Sequence, residues 1–132
     1  MKNVLLIDAD LNHLVVLAEA LSDACYQVTA RIDAESALAV LKEDDRFDLI
    51  IIDYEMPGLD ALSFMGQVRE LMTNARVVVL AKNGNVETYV KLMSLGVFVY
   101  MSKPVRAREL KRSVEAALTY SVQTGLVRKC GY

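Results

Sequence analysis

Three short runs set the terms for this fold: Val-Leu-Leu-Ile at 4–7, Leu-Ile-Ile-Ile at 49–52 and Val-Val-Val-Leu at 77–80. Each is apolar at every position, so a strand built from it has no face to give to water. Such strands belong in the middle of a sheet covered on both sides. Parallel sheets are covered that way, because the crossover between parallel strands lays a helix on a face. With two weaker runs added, the expected strands are Asn3–Ile7, Gln27–Ala30, Leu49–Asp53, Val77–Ala81 and Val97–Met101.

The stretches between them have helical periodicity. Leu14, Leu17, Ala18, Leu21 and Ala24 recur at helical spacing, as do Ala34, Ala37, Leu38 and Leu41, with Asp33 placed to cap that second helix. Leu62, Met65, Val68 and Leu71 mark a third helix, and Val86, Tyr89, Val90 and Met93 a fourth, with Gly96 suited to its C-terminal cap. Leu110, Val114, Ala117 and Leu118 mark a fifth. Strand and helix alternate five times, and right-handed crossovers leave few topologies. The expected fold class is α/β: a flavodoxin-like (βα)5 three-layer sandwich with a parallel five-stranded sheet in the order 2-1-3-4-5.

A length of 132 residues suits one domain. Its expected bounds are 1–123, with 124–132 a tail or the start of a linker. Apolar residues at 54% exclude disorder, and a net charge of -2 gives no global attraction to nucleic acid or an anionic membrane. The apolar run at 4–7 is too short for a signal-peptide core of about 7–15 residues, and nothing approaches the roughly 20 of a membrane span. The expected setting is the cytoplasm. Cys25 and Cys130 are too few for a disulfide scaffold and are expected to be free thiols, a single bridge between them being the alternative.

In open α/β sheets, ligands bind outside the carboxyl ends of the strands, at the point where the strand order reverses. Asp8, Ala9 and Asp10 follow the first strand, and Asp53 ends the third, ahead of Tyr54-Glu55-Met56-Pro57-Gly58. Ala81 ends the fourth strand, and Ser102-Lys103-Pro104 follows the fifth. In the expected order, strands one and three are neighbours, so Asp8 and Asp53 face one cleft with Lys103 on its rim. Two carboxylates and an ammonium suit a hard cation and a phosphoryl group: Mg²⁺ takes oxygen ligands, and a carboxylate can act as a nucleophile. Either Asp alone reads as a turn residue at a strand end; the conjunction of both with Lys-Pro argues for a site.

The stretches VLLIDADLNHL, DLIIIDYEMPGLDALSF and GVFVYMSKPVRARELKRSV resemble the receiver domain of two-component response regulators, from about Asn3 to Val122. The most specific part is Asp53, two residues, Met-Pro-Gly and then Leu-Asp; the Lys-Pro with Tyr100 three residues earlier is nearly as specific. The resemblance implies that Asp53 is the phosphoryl acceptor, that Lys103 contacts the phosphoryl group and that the Lys103–Pro104 bond is cis. It further implies that Mg²⁺ is held by Asp8, Asp53 and the backbone carbonyl of Glu55, and that Tyr100 is the aromatic switch residue. Two positions depart from the pattern. Ala9 stands for the second acidic residue of the metal pair, with Asp10 the candidate to compensate, so weak metal binding is expected. Ala81 stands for the switch Ser or Thr at the end of strand four.

The implied function is that of a phosphorelay receiver: Asp53 takes a phosphoryl group from a sensor histidine kinase or phosphotransfer protein, and a partner or attached output domain reads the change. It is a phosphoacceptor signalling domain rather than an enzyme. Ala9 and Ala81 favour a second reading, a phosphorylation-independent interaction module. A remote third is a haloacid-dehalogenase-type phosphatase, since Asp8-Ala9-Asp10 looks like its Asp-x-Asp motif. Arg106, Arg108, Lys111 and Arg112 read as a solvated face, although the resemblance implies a homodimer or partner surface through the fourth and fifth helices. Direct nucleic-acid binding is not expected, since no recognition motif or aromatic interleaving accompanies these charges. His13, the only histidine, reads as a solvated or hydrogen-bonded helix residue with no acidic partner at ligand spacing. Met65, Met72, Met93 and Met101 read as packing residues.

Overall fold

The computed structural model describes residues 2–23, 25–44, 46–58, 60–71, 74–82 and 84–119. Strands β1 (Asn3–Ile7), β2 (Gln27–Arg31), β3 (Leu49–Asp53), β4 (Arg76–Ala81) and β5 (Val99–Ser102) alternate with helices α1 (Leu11–Ser22), α2 (Ala34–Glu43), α3 (Ala61–Leu71), α4 (Val86–Ser94) and α5 (Ala107–Thr119). The sheet is parallel throughout, in the order β2-β1-β3-β4-β5. This is the flavodoxin-like order expected from the sequence.

Strand residues alternate between two cores, as a side-chain period of two requires. Leu5, Ile7, Ile50, Ile52, Val77 and Val79 join Ala37, Leu41, Phe64, Met65, Val68 and Leu92 on the face covered by α2, α3 and α4. Val4, Leu6, Leu49, Ile51, Val78 and Leu80 join Leu14, Leu17, Leu21, Leu110, Val114 and Ala117 on the face covered by α1 and α5. Each of the three runs is thus divided between two apolar layers, and that is why none contains a polar residue.

The helix ends are chemically specified. Asp33 accepts a hydrogen bond from the Ser36 backbone N–H at 2.7 Å, and Asn85 accepts one from Thr88 at 2.8 Å. Asp10 does the same for α1 through the His13 N–H. Helix α4 ends in a Schellman motif around Gly96 (φ 90°): the Gly96 N–H reaches Met93 O at 3.1 Å and the Val97 N–H reaches Leu92 O at 3.3 Å.

That motif corrects the expected start of the last strand. Val97 spends its N–H on the helix cap, so β5 begins at Val99 rather than Val97. Val86, Tyr89 and Val90 point outward, Val86 being 79% exposed, while Leu92 packs into the core and Met93 lies against it. Cys25 is disulfide-bonded and not a free thiol. It lies outside α1 in an exposed turn at φ 60°. Ala24, Met72, Cys130 and the expected 124–132 tail lie outside the described residues.

Candidate functional site

The register brings the site together. Ile7 pairs with Ile52, so Asp8 and Asp53 leave adjacent strands at one level, and Ala81 pairs with Ser102, the residue before Lys103. Asp8 and Asp53 are 1% and 6% exposed, the only polar residues among the described ones counted as buried. Buried carboxylates need partners, and each oxygen has one. Asp53 Oδ1 accepts the Glu55 N–H at 3.0 Å, and its Oδ2 pairs with Lys103 Nζ at 2.7 Å. Asp8 Oδ1 accepts the Asp10 N–H at 2.9 Å, and its Oδ2 meets His13 Nδ1 at 2.5 Å.

Other residues frame this centre. Gly58, in the Met-Pro-Gly turn, has φ 73°, a conformation side chains rarely adopt. The Glu55 carboxylate accepts the Lys82 N–H at 2.7 Å and ties the loop after β3 to the loop after β4. The Lys103–Pro104 bond is cis. Asp10 is exposed, and its Oδ1 serves as the α1 cap at 3.3 Å from the His13 nitrogen. That use leaves it poorly suited to replace the carboxylate missing at Ala9.

His13 is a hydrogen-bonded helix residue, one of the two expected alternatives, but the expectation that it has no acidic partner is corrected: that partner is Asp8. His13 is the third residue of α1, and helical side chains lean back toward the N-terminus. Its ring therefore reaches past the cap to the end of β1. The cap at Asp10 was visible in the sequence and could have revealed this placement.

Tyr100 lies inward. Its ring packs edge-on to Tyr89 at 5.6 Å between centroids, and its hydroxyl is buried without a hydrogen-bond partner. A Cβ built on Gly84 would sit 1.3 Å from that oxygen, so the ring needs a glycine there. Burial, with the nearby charge of Glu55 second, raises the hydroxyl pKa above its ordinary value. Ala81, 2% exposed, offers no hydroxyl to the site.

The donor set fits a hard cation. Mg²⁺ usually keeps several waters and takes only one or two protein carboxylates, and Asp8 and Asp53 supply two. No three His, Cys, Asp or Glu side chains among the described residues form a metal cage.

A parallel sheet with two buried carboxylates and a lysine at its carboxyl edge defines an acidic site with one ammonium beside it. The chain belongs to the response regulator receiver domain family, which it matches over residues 4–115. It is 34% identical over 109 residues to the two-component response regulator ARR14 of Arabidopsis thaliana, covering 82% of this chain and 28% of the relative. It is 27% identical over 123 residues to the transcriptional regulatory protein ZraR of Salmonella typhimurium, covering 93% of this chain and 28% of the relative. The chain thus spans about a quarter of the length of these relatives. A CheY-like receiver domain from Methanospirillum hungatei shares the fold at a TM-score of 0.84 and 22% identity, over 89% of this chain and 94% of that one. A Burkholderia pseudomallei response regulator, described with a phosphorylated aspartic acid and a calcium ion, superposes at 0.78 and 27% identity over 89% of this chain and 66% of that one. This membership displaces the phosphatase reading of Asp8-Ala9-Asp10, and Asp10 is used as a helix cap.

Proposed function

We propose that this domain is a phosphorelay receiver. Asp53 accepts a phosphoryl group from a sensor histidine kinase or phosphotransfer protein, and a partner or attached output domain reads the result. The observation that carries this reading is the 2.7 Å pairing of Lys103 Nζ with the buried Asp53 carboxylate at the end of a central strand. An Asp53 oxygen attacks phosphorus as the bond to the donor's leaving group breaks, and Lys103 offsets the charge on the transferred oxygens. Asp8, Asp53 and the Glu55 carbonyl would hold Mg²⁺, which when bound neutralises phosphoryl charge. The phosphorylated aspartic acid of the Burkholderia relative supports the assignment by similarity.

The proposal takes 1–123 as the receiver unit, with a homodimer or partner surface on α4 and α5. It sets the domain in the cytoplasm with its kinase; among the described residues, no helix is long and apolar enough to cross a membrane. A second reading, an interaction module that works without phosphorylation, is favoured by Ala81 and by the inward Tyr100.

The test is to incubate the chain with a small-molecule phosphodonor and Mg²⁺ and map the acyl phosphate by mass spectrometry. Label is expected on Asp53 and absent from Asp53→Asn. Label on Asp8, or none on the unmodified chain, would sink the phosphorelay reading.

A further inference from the structure

We propose that His13 and a divalent cation are alternative partners of Asp8, so that His13 sets how tightly this site holds its metal. The inference rests on the reading of Asp8 as a cation ligand.

Asp8 is 1% exposed, and its two oxygens are both engaged. The Asp10 backbone N–H fills Oδ1 at 2.9 Å and is fixed by the turn. The second oxygen, Oδ2, meets His13 Nδ1 at 2.5 Å. A carboxylate only accepts hydrogen bonds, so the imidazole donates Nδ1–H. A cation drawing on Oδ2 competes with that donor for the oxygen's charge.

The chain has a reason to need it. With Ala9 exposed and uncharged where the family pattern has an acid, a strong cation pull on Asp8 is lost. A buried carboxylate still requires a donor, and the third residue of α1 supplies one. The imidazole is also free to leave. Its side chain is 23% exposed, and α1 is held to the core by Leu14, Leu17 and Leu21 instead.

His13 does not act as a further metal ligand in this arrangement. A ligating nitrogen presents a lone pair, whereas the nitrogen nearest the site carries its proton toward Asp8. Asp8, His13 and Asp53 do not form a three-ligand group. Imidazole and cation therefore compete at Oδ2.

The test is calorimetric titration of Mg²⁺ into the full chain and into His13→Ala, His13→Leu and Asp8→Asn, all at one pH. Nitrogen-15 shifts of the His13 ring are followed in the unmodified chain. Both His13 variants should bind Mg²⁺ about ten-fold more tightly, the lower end of what a hydrogen bond to a charged group contributes. The Nδ1 resonance should move as Mg²⁺ saturates the unmodified chain, which a merely structural histidine would not do. Equal or weaker binding in the His13 variants, or no binding in any of the proteins, overturns the proposal. If Asp8→Asn weakens binding while the His13 variants match the unmodified chain, this proposal fails alone. If Asp8→Asn binds like the unmodified chain, Asp8 is no ligand and the metal assignment falls with it. Should a variant not fold, the Nδ1 shift in the unmodified chain decides: a stationary resonance under saturating Mg²⁺ overturns the idea.

Discussion

Tyr100 packs its ring against the core while its hydroxyl has no hydrogen-bond partner. An unpartnered buried hydroxyl costs about 1–3 kcal/mol. Tyr100→Phe removes the oxygen and keeps the ring, so it should stabilise the fold by about 1 kcal/mol, read from the denaturation midpoint. The same burial raises the Tyr100 pKa above 10.0. The unfolded chain therefore releases this proton first, and the contribution to stability is complete below pH 10.0 and is lost as pH rises toward the folded value. Burial raises Tyr26 as well, so an alkaline absorbance titration should contain late-titrating tyrosines, and the Tyr100 share of that late phase should disappear in Tyr100→Phe. Asp8 and Asp53 were legible at this scale because each directly follows or ends an apolar run, and Lys103 because a Lys-Pro pair follows the fifth strand. The His13–Asp8 contact was legible only through the helix cap at Asp10, three residues beyond the end of β1, which turns the chain and sets where the ring reaches.

Among the elements, strands were easier to read than helix faces. Two apolar layers demand unbroken runs, so β1, β3 and β4 stood out, and β5 was misplaced only because Val97 is spent on the α4 cap. Helical spacing identified the α4 stripe but not its direction: Val86, Tyr89 and Val90 face outward. The loop between β4 and α4 is where the elements meet function. In the resembled family, a Ser or Thr at the end of β4 reaches a phosphoryl oxygen, and the aromatic residue then moves inward. A hydrogen bond formed only in the active state would shift that equilibrium by about 10- to 150-fold. Ala81 cannot make it, and Gly84 already leaves room for the Tyr100 ring. A beryllofluoride phosphate mimic should therefore cause small chemical-shift changes around Tyr100, and Ala81→Thr should enlarge them. Gly84→Ala should drive the ring outward and break its edge-on contact with Tyr89, seen as lost cross-peaks between the two rings. A large response in the unmodified chain that Ala81→Thr does not increase would place the switch elsewhere.

Across the whole molecule, the sheet buries apolar side chains on both faces, yet α4 leaves an apolar stripe in water. Val86, Tyr89 and Val90 lie one helical turn apart and are 79%, 46% and 57% exposed. The adjacent Lys91–Glu87 pair, at 3.1 Å, is an exposed contact that contributes little. Helix α5, by contrast, presents exposed Arg106, Arg108 and Arg112. These two surfaces predict opposite behaviour if the domain pairs with itself. Association through α4 is driven by apolar burial and should persist or strengthen as salt rises, whereas contacts made by the arginines should weaken through screening. Three side chains fall well short of the roughly 800 Å² per partner of a stable interface, so the dimer should be weak and concentration-dependent. Sedimentation velocity over a concentration series, at low and high salt, is the measurement. Val90→Asp should abolish the self-association without lowering the melting temperature, since Val90 contributes little to the core. A chain that stays monomeric at every concentration, or a Val90→Asp variant that associates like the unmodified chain, would remove α4 as a dimer surface.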